Sequence, residues 1–186
     1  MCFHGPLSLI QRILPTGSQN NGLLILGLDN AGKSTLTERL SEIFNGKAKA
    51  ATVQASEWSL RINNSKLKLW DINGDLKNRM VWPNYYQKAR ILIFVVDSKD
   101  AVRLSEARCV LCDVLLHEEL NKAALLIVSN KKDTQGSLPA STIVDLMGLN
   151  HLQGREWDIK ECSLQTDKGV QDIVDWIFSK TTKAKK

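Results

Sequence analysis

Residues 23–34, LLILGLDNAGKS, constrain this chain more than any other stretch. LLILGL (23–28) is a short, wholly apolar run, which reads as a strand buried on both faces. The residues after it match G-x-x-x-x-G-K-[ST], and STLTERLSEIF (34–44) then reads as a helix. A strand, a glycine-bracketed loop and a helix in that order make a phosphate cradle. Gly27 and Gly32 let the backbone wrap tightly, so that the N–H groups around Asp29, Asn30 and Ala31 point at phosphate oxygens. The helix start adds its positive end, with Thr35 in its first turn. Lys33 reaches outer phosphates, and the Ser34 hydroxyl ligates Mg²⁺.

The rest of the chain continues the alternation. Trp58, Leu60 and Ile62 share one face of a strand, Leu67 and Leu69 one face of the next, and NNS turns between them. RILIFVVD (90–97), AALLIVSN (123–130) and WDIKEC (157–162) read as further strands. Helices are expected over 100–116, 139–147 and 170–178, and a loop over 45–56. This is an α/β pattern with a mostly parallel six-stranded sheet and helices on both faces. The expected layout is an amphipathic helix (1–15), a linker (16–22), one domain (23–180) and a basic tail (181–186).

Charge and composition exclude several classes. The net charge of +5 is mild and partly sits in KTTKAKK at the end, with no basic stripe interleaved with aromatics. Nucleic acid is therefore not an expected partner. No apolar run is long enough to span a bilayer, and no secretory leader is expected. The four cysteines include a C-x-x-C, Cys109 and Cys112, inside an expected helix. It lacks the further ligands of a zinc site, so reduced packing cysteines are expected, as in a cytoplasmic protein.

Two more motifs complete a site. NKKD (130–133) follows a buried strand. In such a loop the Asp133 carboxylate accepts from the ring N–H and amino group of guanine, a donor pair that adenine lacks. Asn130 braces the loop, and the Lys131 stem lies against the ring. Asp71-Ile-Asn-Gly74 is a D-x-x-G. There Asp71 holds a water on Mg²⁺, and the Gly74 N–H senses a terminal phosphate.

GLDNAGKST, LWDINGD, WPNYYQ, ILIFVVDS, SNKKD, GREWDIKECS and GVQDIVDW run in order over nearly the whole chain. Together they resemble an ADP-ribosylation-factor-like (Arf-like) small GTPase, and the ending leans toward Arf-like proteins two and three. The resemblance implies the P-loop small-GTPase fold, GTP or GDP with Mg²⁺ as ligands, and a monomeric switch read by effectors. It also implies exchange and activating proteins, and work in trafficking or cargo release at a cytoplasmic site peripheral to membranes. It places Cys162, Ser163 and Leu164 at the guanine carbonyl, and Thr52 in the Mg²⁺ shell. GPLSLIQRIL resembles the family's N-terminal helix, which implies weak, reversible membrane contact.

The chain departs from the family at several points. The family's D-x-G-G-Q is D-I-N-G-D, so Asn73 replaces a glycine and Asp75 the glutamine that orients the attacking water. A carboxylate only accepts hydrogen bonds, and it repels phosphate. At ~4 Å and an effective dielectric near 20 that repulsion is about 4 kcal/mol. This is roughly a thousandfold in rate. Hydrolysis through Asp75 and Gly74 is therefore expected to be slow or lost. The segment ATVQAS lacks the family's P-T-x-G-F-N, with Ala51, Gln54 and Ala55 at the changed positions. Leu164 stands where alanine is usual, and Cys2 where N-myristoylation needs glycine. Two further readings stay open: a pseudo-GTPase scaffold fixed in one nucleotide state, and a P-loop kinase, against which NKKD argues.

Overall fold

The computed structural model describes residues 22–62 and 65–182. The expected N-terminal helix, the linker before Gly22, the centre of the NNS turn and residues 183–186 lie outside them.

β1 (Gly22–Gly27) is buried along its whole length and lies in the middle of the sheet. β4 (Ser65–Ile72) and β5 (Ile91–Asp97) flank it, both parallel to it. β6 (Ala124–Asn130) and β7 (Trp157–Glu161) continue the parallel sheet beyond β5. On the other side β4 pairs antiparallel with β3 (Ala55–Ile62), and β3 with β2 (Lys47–Ala51). The order is β2-β3-β4-β1-β5-β6-β7.

Among the described residues seven strands form, where the sequence predicts six and a loop over 45–56. The additional strand, β2, is exposed at every residue. It has no buried face, and its apolar residues are only alanines, so its sequence carries little core signal. Backbone bonds to β3 hold it, with a bulge between Ala48 and Ala50. Lys47 and Lys49 on this edge discourage pairing with another sheet.

Successive residues of a strand face opposite ways, and the core divides accordingly. Leu23 and Ile25 of β1 join one cluster, with Leu36 and Leu40 of α1 (Lys33–Ile43) and Ile173 and Ile177 of α5 (Val170–Thr182). Leu24 and Leu26 join the other, with Leu111 of α3 (Leu104–Leu115) and Ile143 of α4 (Ala140–Met147). Trp82 and Tyr86 close this second face at and beside the short α2 (Pro83–Tyr86), and both are buried. Tyr85 is half-buried, its ring centroid 6.1 Å from that of Trp70. α5 runs two residues past the expected end of the domain at 180. Parallel strands place their C-terminal ends along one rim, where the loops after β1, β5 and β6 meet.

Cys109 and Cys112 are not packing residues as expected. Both are free and exposed on α3, whose inward stripe is Leu104, Ala107, Leu111 and Val114. Cys162 is buried, and burial pushes its thiol up to about 12, with the Asp133 charge adding to the shift. The expected outcome of iodoacetamide labelling at neutral pH is therefore selective. Peptide mapping finds Cys109 and Cys112 modified in the folded protein, and Cys162 only after denaturation. Labelling of native Cys162 at a similar rate contradicts this packing.

Candidate functional site

The loop after β1 is shaped by two glycines that nothing larger can replace. Gly27 has φ 143°, and a Cβ there would strike the Val95 carbonyl. Gly32 has φ 102°, and a Cβ there would strike the Asn130 amide. Asn30 adopts φ 58°, a left-handed conformation that asparagine tolerates. Lys33, 7% exposed, folds back so that Nζ donates to the Leu28 carbonyl at 2.7 Å. Burial lowers its pKa, and the carboxylates of Asp71, Asp29 and Asp75 oppose that shift. The ammonium therefore sits inside the loop, faced by acidic groups from three points of the chain.

Asp71 stands at the buried C-terminal end of β4, beside Ile25 of β1 in register. Burial raises its pKa, and a hydrogen bond from Ser34 lowers it in part. Ser34 and Asp71 thus present two hard oxygen donors to each other at the start of α1. That donor set suits Mg²⁺, which takes one or two protein oxygens and completes its shell with phosphates and water. Among the described residues no cluster of three or more acidic, His or Cys side chains forms a dedicated metal cage. A cleft of about 400 Å³ opens here, lined among others by Asn30, Lys33, Ser34, Thr52, Asp71 and Asp75. Thr52 is in this cleft, but its hydroxyl serves the β2–β3 turn. Oγ1 accepts from Ala55 N at 3.1 Å and Gln54 N at 3.3 Å, and donates to Ala55 O. Joining a metal shell requires that turn to open.

Asn130, at the end of β6 and 3% exposed, ties the site together. Its Nδ2 donates to the Ala31 carbonyl at 2.9 Å. Its Oδ1 accepts from Leu164 N at 3.2 Å and from the Cys162 thiol at 3.6 Å. Three segments remote in sequence, 27–34, 130–133 and 162–164, therefore share one side chain. Lys131 adopts φ 66°, and its Nζ pairs with Asp97 at 2.6 Å, which lays its stem along the loop. Asp133 is exposed at the same rim. Ser163 is buried, and its hydroxyl accepts from Thr166 N. Leu164 packs on the loop side of Gly32.

Gly74 closes the other end. A Cβ there would lie 2.5 Å from Lys33 Nζ and 2.6 Å from Asp29 N, with the Gly27 carbonyl closer still. Asp75 is exposed at the cleft mouth. Thr35 is exposed on the first turn of α1 and is not among the cleft-lining residues.

Sequence reasoning missed two arginines. Arg103 pairs with Asp29 at 3.1 Å and with Asp100 at 2.6 Å, bracing the phosphate loop from the start of α3. Arg79 donates to the Gly74 carbonyl at 3.1 Å and pairs with Glu106 at 2.7 Å. Neither belongs to a motif, and no local spacing signals a partner dozens of residues away.

The chain matches the ADP-ribosylation factor family over residues 7–181. It is 34% identical to ADP-ribosylation factor-like protein 3 of Chlamydomonas reinhardtii over 178 residues, covering 94% of this chain and 97% of that protein. It is equally 34% identical to ADP-ribosylation factor-like protein 5A of Homo sapiens over 164 residues, covering 87% and 90%. Among solved structures it is similar to the Arl6 BBS3 small GTPase from Trypanosoma brucei with bound nucleotide analogue GppNp. The TM-score is 0.79 at 24% identity, over 88% of this chain and 98% of that one.

Asn130→Ala strands the buried Ala31 carbonyl and Leu164 N–H together. The expected cost in urea unfolding is about 2–4 kcal/mol. Lys131→Ala breaks a pair whose cation is about one-third exposed, and should cost under ~1 kcal/mol. Equal effects would mean that Asn130 does not brace the loops.

Proposed function

The chain belongs to the ADP-ribosylation factor family, and from that premise we propose that it is a guanine-nucleotide-binding switch. Members of the family bind guanine nucleotides and act through effectors and regulators. The observation that carries the reading here is the Asn130 brace, which joins a phosphate loop to a base-side loop. A phosphate site alone accepts any nucleotide. One rigidly coupled to Asp133 and to the Cys162–Leu164 turn selects guanine.

On this reading the N–H groups of Asp29 to Lys33 hold the phosphates with the Lys33 ammonium. Ser34 and, through water, Asp71 would hold Mg²⁺, which neutralises phosphate charge when bound. Gly74 N–H meets the terminal phosphate, and the lack of room for a Cβ against Asp29 N and Lys33 Nζ keeps this position a glycine. Partners read the surface formed by the β2–β3 turn and the segment after Gly74, where Val53, Leu76 and Met80 are exposed. Trafficking or cargo release at membrane-peripheral sites fits such a switch. Among the described residues no helix is long and apolar enough to cross a membrane.

Hydrolysis of GTP to GDP and phosphate is slow or lost. Asp75 adds a third carboxylate to the groups that face Lys33. It cannot donate to a phosphate oxygen as glutamine does. The second reading, a scaffold fixed in one nucleotide state, is favoured by Thr52, whose hydroxyl is committed to its own turn.

Two measurements test this. GDP at a hundred times its Kd should stabilise the protein by about 2.7 kcal/mol, read as a rise in Tm, and ADP should not. Equal shifts from both nucleotides, or none from either, reject guanine selectivity. In single-turnover hydrolysis of bound GTP, wild type should be inert or nearly so, and Asp75→Gln faster by on the order of a hundredfold or more. Wild-type turnover matching or exceeding that of Asp75→Gln removes the role given to the carboxylate.

A further inference from the structure

Residue 73 uses every hydrogen-bonding group it has. Its N–H donates to the Gln54 carbonyl at 2.8 Å. Its carbonyl accepts from the Trp82 indole at 3.0 Å. Its Oδ1 accepts from Asp75 N at 2.9 Å, and its Nδ2 donates to the Val53 carbonyl at 3.4 Å. The β2–β3 turn, the loop after β4 and the buried Trp82 therefore meet at one residue. Glycine at this position, as in the motif the chain resembles, would keep only the two backbone bonds.

Both segments joined by Asn73 are firm in themselves. The turn is closed by Thr52, whose N–H and hydroxyl both bond the Ala55 carbonyl. The loop is anchored by Arg79, which reaches from the Gly74 carbonyl to Glu106 on α3. Gly74 lies close enough to Asp29 N and Lys33 Nζ that a Cβ there would strike both, and Asp29 and Lys33 line the cleft. Val53, Gln54, Asn73 and Asp75 all line that cleft. The bond from Asn73 to the turn thus joins two segments that line the cleft.

We propose that Asn73 is a latch. It ties together turn 52–55 and loop 73–75, two segments that line the cleft, and slows the passage of nucleotide in and out. The inference rests on reading the cleft as a guanine-nucleotide site. Asn73 touches no reacting atom, so it is a positioning residue. The side-chain bond to Val53 adds to the backbone bond to Gln54, and both must break before the turn and the loop part. The bond from Asp75 N only tightens the loop.

Substitutions separate the two bonds. Asn73→Gly removes both. Asn73→Asp keeps an acceptor for Asp75 N and loses the donor to Val53. Amide hydrogen exchange on the full chain reads the latch without reference to any nucleotide. In Asn73→Gly the amides of residues 53–56 and Asp75 should exchange about tenfold faster, the effect of about one net hydrogen bond. Amides of β6 should be unchanged, which excludes general loosening. Release of a fluorescent GDP analogue should quicken by a similar factor, with the preference for GDP over ADP kept.

Unchanged exchange at 53–56 overturns the latch, whether or not nucleotide binds. Faster exchange with unchanged release overturns its role as a gate. At residues 53–56 Asn73→Asp should match Asn73→Gly in exchange, while the Asp75 amide, which keeps its acceptor, stays as in wild type. If Asn73→Asp matches wild type at 53–56, the local turn carries the effect and the bond to Val53 does not. Failure of wild type to bind any guanine nucleotide would instead reject the reading of the cleft, and is seen before any variant is made.

Discussion

The contacts of one amide side chain hold the rest of the site in register. Asn130 leaves the end of β6 and satisfies an acceptor in the phosphate loop and a donor in the turn after β7. Buried backbone groups that cannot reach water need partners inside the fold, and here one residue serves two loops. The arrangement leaves little freedom. Gly32 has to lack a Cβ because the Asn130 amide occupies that space. Leu164 fills the remaining contact. The relative position of loops 27–34 and 162–164 follows from these bonds rather than from either loop alone.

Around that frame three carboxylates act on the one lysine of the phosphate loop. Lys33 is buried and depressed in pKa, and Asp71, Asp29 and Asp75 face it. Arg103 holds Asp29 and Arg79 holds the Gly74 carbonyl, so these two guanidinium groups brace the loops while Lys33 is the cation within the cleft. Such a balance suits a bound divalent cation and moderates the attraction for added phosphate charge. Asp75 and Asn73 both change the loop after β4, one by charge and the other by tying that loop to the β2–β3 turn. Both alterations fall where nucleotide state is read in proteins this chain resembles.

Much of the fold was legible in the sequence because burial leaves periodic traces. β1, β5 and β6 are continuous apolar runs, and each is a parallel strand covered on both faces. Helices α4 and α5 followed from apolar spacing to within a few residues at their ends. β2 left no trace. All five of its residues are exposed, so its pairing depends on backbone bonds that every residue type can make. The outward turn of Cys109 and Cys112 was equally hidden. A cysteine is small and apolar enough for either face, and the phase of α3 is set by Leu104, Leu111 and Val114.

The sequence by itself determined the chemistry of the site. The spacing of Gly27, Gly32, Lys33 and Ser34, the D-x-x-G at Asp71 and the N-K-x-D at Asn130 are local patterns. The phosphate loop works only because its neighbours in the chain supply the groups at fixed intervals. Tertiary structure decided what restrains those groups. Arg103 on Asp29, Arg79 between Gly74 and Glu106, and Asn73 between two loops join residues that no spacing relates. Thr52 differs from these: its hydroxyl is claimed by bonds to Gln54 and Ala55 in its own turn, a local commitment. A hydrogen bond between remote segments is specified by where two atoms meet, and that meeting is set by packing of the whole sheet rather than by order along the chain.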